Sequence, residues 1–163
     1  MKPLFFSLLI SMLAGCGQQQ ANSTSKTEKA DSSNASATIK PYAPGFGEFM
    51  SSIQVHHEKL WFAGINNNWQ LADFEINEIK EALRGIEDYC TDRPERKSLT
   101  MIYPAIDSIS SAIQQKNLGS FKSNFTILTQ TCNTCHKATD HGFNVIQIPT
   151  TPPFSNQSFN LSN

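Results

Sequence analysis

Five consecutive residues, Cys132-Asn133-Thr134-Cys135-His136, place two thiols and an imidazole at the spacing C-x-x-C-H. Side chains three and four apart share one face of an α-helix, so these three groups converge if the stretch is helical. Several chemistries use such groups. A redox dithiol belongs in a βαβ setting, and no such pattern surrounds the motif. Zinc needs a fourth ligand; His141, His56 or His57 could offer one, yet no second paired motif exists. A structural disulfide leaves His136 without a role. Covalent attachment of haem c employs all three residues, with thioethers at Cys132 and Cys135 and His136 as the proximal iron ligand.

The elements that must hold this motif are legible as apolar spacing. A first helical stretch runs from about Phe46 to Ala63, with Phe46, Phe49, Met50, Ile53, His57, Leu60 and Trp61 near one face. Asn66-Asn67-Asn68 breaks it. A second runs from about Leu71 to Ile86 through Ala72, Ile76, Ile79 and Leu83, and the charged stretch Glu87 to Lys97 reads as a loop. A third repeats Leu99, Ile102, Ile106, Ile109 and Ile113; Pro104 within it either kinks the helix or marks its true start. After a break at Asn117-Leu118-Gly119, the fourth carries Phe121, Phe125, Leu128, Cys132 and Cys135 at spacings of four and three. Both cysteines thus continue an apolar seam. The expected fold is all-α, an antiparallel four-helix bundle with haem attached near the end of the fourth helix. Trp61 and Trp69 are expected to pack its far end.

The chain ends add a location. Lys2 followed by the apolar run Leu4 to Leu13 has the layout of a secretory signal, which suits haem c because bacteria attach it after export. Leu13-Ala14-Gly15-Cys16 resembles the lipobox of bacterial lipoproteins, which implies lipidation at Cys16 and removal of residues 1–15. The next segment, 16–40, is rich in Ser, Asn, Gln and Ala and reads as a lipidated flexible tether. The domain then spans 41–146. The tail, 147–163, is proline-rich and expected to be extended, with Phe154 and Phe159 available to pack back on the domain. Formal net charge is −1, and removing residues 1–15 takes away Lys2 alone, leaving −2. No basic stripe points to nucleic acid.

The run FTILTQTCNTCH from Phe125 to His136, with an aromatic seven residues before the first cysteine, resembles the cytochrome c-prime family. Helix number and order extend the likeness over roughly Phe46 to His141. Two features depart from that family: its basic residue on the turn after the haem histidine is matched only by Lys137, and the proline-rich tail is an addition. The resemblance implies that a residue early in helix one either ligates iron or blocks its distal side. Counting along antiparallel helices at 1.5 Å per residue places Cys132 about 21 Å along helix four, level with Met50 or Ser51 on helix one. Met50 is therefore the expected distal ligand. His57, about 10 Å further along by the same count, is the minor alternative.

Three functions follow as expectations. The first is a membrane-tethered monohaem electron carrier, not an enzyme, that meets redox protein partners and the membrane through its lipid anchor. It would lie on the periplasmic side of the cell envelope; Gly17, with no Asp there, follows Cys16, which by resemblance to known lipoproteins favours the outer membrane. The second is a five-coordinate protein binding nitric oxide or carbon monoxide, with Met50 as packing only. The third is a haem-free helical surface lipoprotein. The resembling bundles often dimerise, so a homodimer is compatible with each. Cys90 reads as a small buried hydrophobe.

Overall fold

The computed structural model describes residues 42–161. The signal peptide, Cys16 and the tether lie outside the described residues. Four α-helices, α1 (Phe46–Ile65), α2 (Trp69–Tyr89), α3 (Tyr103–Gln114) and α4 (Leu118–Ala138), are joined by short connections, with a 3₁₀ helix at Pro94–Met101 between α2 and α3. The fold is all-α: there is no strand among the described residues, and no helix there is long and apolar enough to cross a membrane.

Two of the turns use the same device. Asn67 ends α1 and Lys116 ends α3 in the left-handed region, at φ 56° and 52°. That conformation turns the following amides back onto the last carbonyls of the helix. Asn68 N–H reaches the Ala63 carbonyl at 2.9 Å, and Asn117 N–H reaches Ala112 at 3.0 Å. The same two asparagines then cap the next helices, their side chains accepting from Leu71 N–H and Ser120 N–H. One asparagine therefore closes one helix and opens another. Leu118 and Gly119 consequently belong to α4 rather than to the break before it.

Pro104 sits in the first turn of α3, where its missing N–H costs nothing, so it marks the start of that helix. Leu99 and Ile102 precede it, in the 3₁₀ helix and at the α3 cap, and are buried there. Part of the expected loop Glu87 to Lys97 is helical instead: α2 continues to Tyr89 and the 3₁₀ helix begins at Pro94.

Helix α1 packs on α2 and α4, and α3 packs on α2 and α4. The seam residues Ile76, Ile79, Leu83, Ile86, Ile106, Ile109, Ile113, Phe121, Phe125 and Leu128 are all buried. Two glycines allow rings to lie against backbone. A Cβ at Gly64 would stand 2.1 Å from the Phe121 ring, and one at Gly85 would stand 2.4 Å from Phe49. Trp61 and Trp69 both meet Phe121, with ring centroids 6.3 and 6.0 Å apart, and close one end of the core. The tail returns along α1. Phe159 is buried with its ring 5.6 Å from Phe62, while Phe154 stays 41% exposed beneath the Lys59 ammonium.

Among the described residues, one acidic side chain lies inside. Glu75 of α2 is fully buried and accepts from His56 Nδ1–H at 2.7 Å, with the Lys59 ammonium 3.9 Å from its other oxygen. Apolar periodicity passes over this residue because its neighbours Ala72, Ile76 and Ile79 already define the buried stripe.

Glycine substitutions test the close approach. Gly64→Ala should lower the free energy of unfolding by about 1–3 kcal/mol through forced displacement of Phe121. Gly119→Ala, whose Cβ meets only ordinary contact with Asn117, should stabilise by about 0.5 kcal/mol. Denaturant midpoints of the two variants should therefore move in opposite directions.

Candidate functional site

The last two turns of α4 carry Cys132, Cys135 and His136, and all three line one cavity of about 370 Å³. That volume lies within the usual range for small-molecule and cofactor pockets, roughly 300–1,000 Å³. Phe46, Met50, Ile53 and His57 of α1 line the same space, together with Leu83 of α2, Leu99 of the 3₁₀ helix and Ile102. Every site residue expected from sequence between 42 and 161 is thus brought to a single cavity.

The two thiols are not disulfide-bonded. Burial, reinforced by the neighbouring Cys135, pushes the Cys132 thiol up to about 12, and burial also raises Cys135. Metal binding would have to release both thiol protons. Among the described residues, moreover, no three His, Cys, Asp or Glu side chains stand together as a metal site.

His136 Nδ1 lies 2.6 Å from the carbonyl oxygen of Asn144. A carbonyl only accepts, so Nδ1 carries a proton, and in the neutral ring Nε2 keeps its lone pair. This is the arrangement in which an imidazole is prepared to bind a metal through Nε2. The loop that supplies the carbonyl begins where Asp140 takes a left-handed conformation, at φ 62°, and returns His141 N–H to the His136 carbonyl at 2.7 Å. Helical spacing locates His136 but carries no signal for the backbone acceptor, since the acceptor belongs to no particular side chain.

Met50 is half-buried at the cavity wall. His57 is almost wholly buried, and its Nε2 is 2.9 Å from Thr129 Oγ1. The Thr129 hydroxyl donates to the Phe125 carbonyl, so it accepts from His57 Nε2–H. His57 also lies against Phe125, with ring centroids 4.4 Å apart. Counting along helix axes set His57 well beyond the motif, yet the cavity extends to both residues because it runs lengthwise beside α1. Its neighbour His56 faces α2 and bonds Glu75, so neither histidine of the pair is left to solvent. Cys90 is buried at the end of α2 and takes no part in lining the cavity.

Sequence patterning missed two parts of the wall. Arg93 and Glu95 form an ion pair at 2.7 Å at its edge, with the Arg93 guanidinium over the Phe46 ring. Asn144 and Ile146 form another part. Both lie in connections, where no period is available; the only hints are the charge cluster around Pro94 and the Asp140-His141-Gly142 turn.

Burial holds His57 down to about 4, against an ordinary value of 6.5. The unfolded chain therefore binds a proton across that window while the folded chain does not. Stability linked to His57 is complete above pH 6.5 and declines as pH falls toward 4, by about 3 kcal/mol in all. In paired unfolding titrations, any advantage of the wild type over His57→Gln should shrink by that amount between pH 6.5 and 4. Parallel pH profiles would contradict the assignment.

Comparisons of this chain with known protein families, with characterised proteins and with solved structures find no match.

Proposed function

We propose that this chain is a lipid-anchored monohaem c-type cytochrome that carries electrons. The observation supporting it is the meeting of Cys132, Cys135 and His136 at one cavity, with His136 already held as the Nε2-ligating tautomer. Helices in the order α1 to α4, with the motif in the last turns of α4, suit an antiparallel four-helix bundle resembling the cytochromes c-prime.

In this reading Cys132 and Cys135 hold the haem by thioether bonds, and His136 is the proximal ligand. The bound group supplies one-electron exchange between ferric and ferrous iron. The chain supplies the setting. Ile53, Leu83, Leu99 and Ile102 exclude water from the cavity, and Met50 offers a thioether sulfur at its wall. Met/His ligation raises the potential and suits a carrier. His57 is the weaker distal candidate, because using its Nε2 would break the bond to Thr129. Cys16 would anchor the protein to the periplasmic side of the envelope, in the outer membrane by preference, and the segment 16–40 would let it move between redox partners.

Ferric and ferrous absorption spectra test this on the full chain, exported from a host with haem c maturation machinery. A low-spin six-coordinate ferrous form, slow to take up carbon monoxide, is expected. Met50→Ala should convert it to a five-coordinate form. A wild type already five-coordinate, and quick to bind carbon monoxide, would replace electron transfer with gas binding. Loss of covalent haem in Cys132→Ala/Cys135→Ala is expected; a wild type without haem would leave only a helical lipoprotein.

A further inference from the structure

The two variable residues of the C-x-x-C-H motif are spent differently. Thr134 is exposed, and its hydroxyl donates to the Gln130 carbonyl of its own helix. Asn133 instead reaches across to the returning chain. Its side-chain carbonyl accepts from Ile146 N–H at 2.7 Å, and its side-chain amide donates to the Ile146 carbonyl at 2.8 Å. This is the two-way pairing that a neighbouring strand would offer, made here by one side chain.

The residue so held closes a small loop. His141 N–H returns to the His136 carbonyl, and Asn144 N–H donates to the His141 carbonyl at 2.8 Å. Asn133 then ties Ile146, two residues further on. Between these ties lies the Asn144 carbonyl that receives His136 Nδ1–H. The Asn144 residue itself is exposed, so the carbonyl's place depends on the path of the loop rather than on packing of that side chain.

We propose that Asn133 is a positioning residue for His136. By clamping Ile146 it holds the Asn144 carbonyl against Nδ1, fixing the tautomer and the ring orientation of the imidazole. An acceptor at Nδ1 also makes Nε2 a stronger donor, which favours ferric over ferrous iron. The effect on iron rests on the function proposed above; the clamp on the imidazole does not.

Three proteins are compared as full chains: wild type, Asn133→Ala and Asn133→Asp. Thr134→Ala serves as the control. Loss of both hydrogen bonds should speed amide exchange at Ile146 by about tenfold or more in Asn133→Ala. Asn133→Asp keeps acceptance from Ile146 N–H but sets a carboxylate oxygen against the Ile146 carbonyl, so it should recover only part of the protection. At a fixed ambient potential, the ferric-to-ferrous ratio should fall several-fold in Asn133→Ala and stay unchanged in Thr134→Ala. Unaltered exchange at Ile146 would overturn the clamp. Faster exchange with an unmoved ratio would overturn the positioning role. If the wild type carries no haem, the proposed function fails and the ¹⁵N shifts of His136 decide the clamp. A defined Nδ1–H tautomer in wild type that becomes mixed in Asn133→Ala is then expected, and identical tautomers would overturn it.

Discussion

Side chains three and four residues apart share one face of a helix, and on α4 that face serves two purposes in succession. Its first half buries Phe121, Phe125 and Leu128 in the core. Its second half delivers Cys132, Cys135 and His136 to the cavity. The axial rotation of α4 is set by the aromatic half, where Phe121 lies against the backbone of Gly64 with no room to turn. Packing at one end of the helix thereby aims the reactive groups at the other.

The opposing wall follows from α1, which changes character along its length. Near its C-terminus Leu60, Phe62, Ala63 and Gly64 are buried, and Trp61 lies 4.8 Å from Phe125 in ring-centroid distance. Toward its N-terminus, Met50 and Ile53 border open space instead. His57 stands at the transition. Its ring lies on Phe125 and its Nε2–H is satisfied by Thr129, so a polar residue ends the aromatic packing without an unmet hydrogen bond at Nε2.

Much of this was readable before any coordinates, because it depends on periodicity. The seam of α2, the repeated isoleucines of α3 and the continuation of the α4 seam into the cysteines are all one-dimensional patterns. Asparagine turns were legible for a local reason, since Asn tolerates left-handed backbone and caps helices. Axial counting was less faithful. It treated the level of the C-x-x-C-H motif as a single height, whereas the cavity meets α1 from Phe46 to His57. The 3₁₀ helix, the loop carrying Asn144 and the clamp at Asn133 were invisible, because each rests on a backbone path that no repeating pattern encodes. Glu75 was hidden for the opposite reason: an acidic residue in an amphipathic stripe reads as solvated unless its partners, His56 and Lys59, are known to face it.

That buried carboxylate has a consequence for the height of α1. Sliding α1 along α2 by one turn would displace His56 by about 5.4 Å and break its hydrogen bond to Glu75. A buried polar group that loses its hydrogen bond costs about 1–3 kcal/mol, a sizeable share of a small domain's stability. The alternative alignment is thus disfavoured even where apolar packing would tolerate it. Glu75 lines no part of the cavity, yet through His56 it favours the alignment in which the turn of α1 bearing Met50 is offered to the motif on α4.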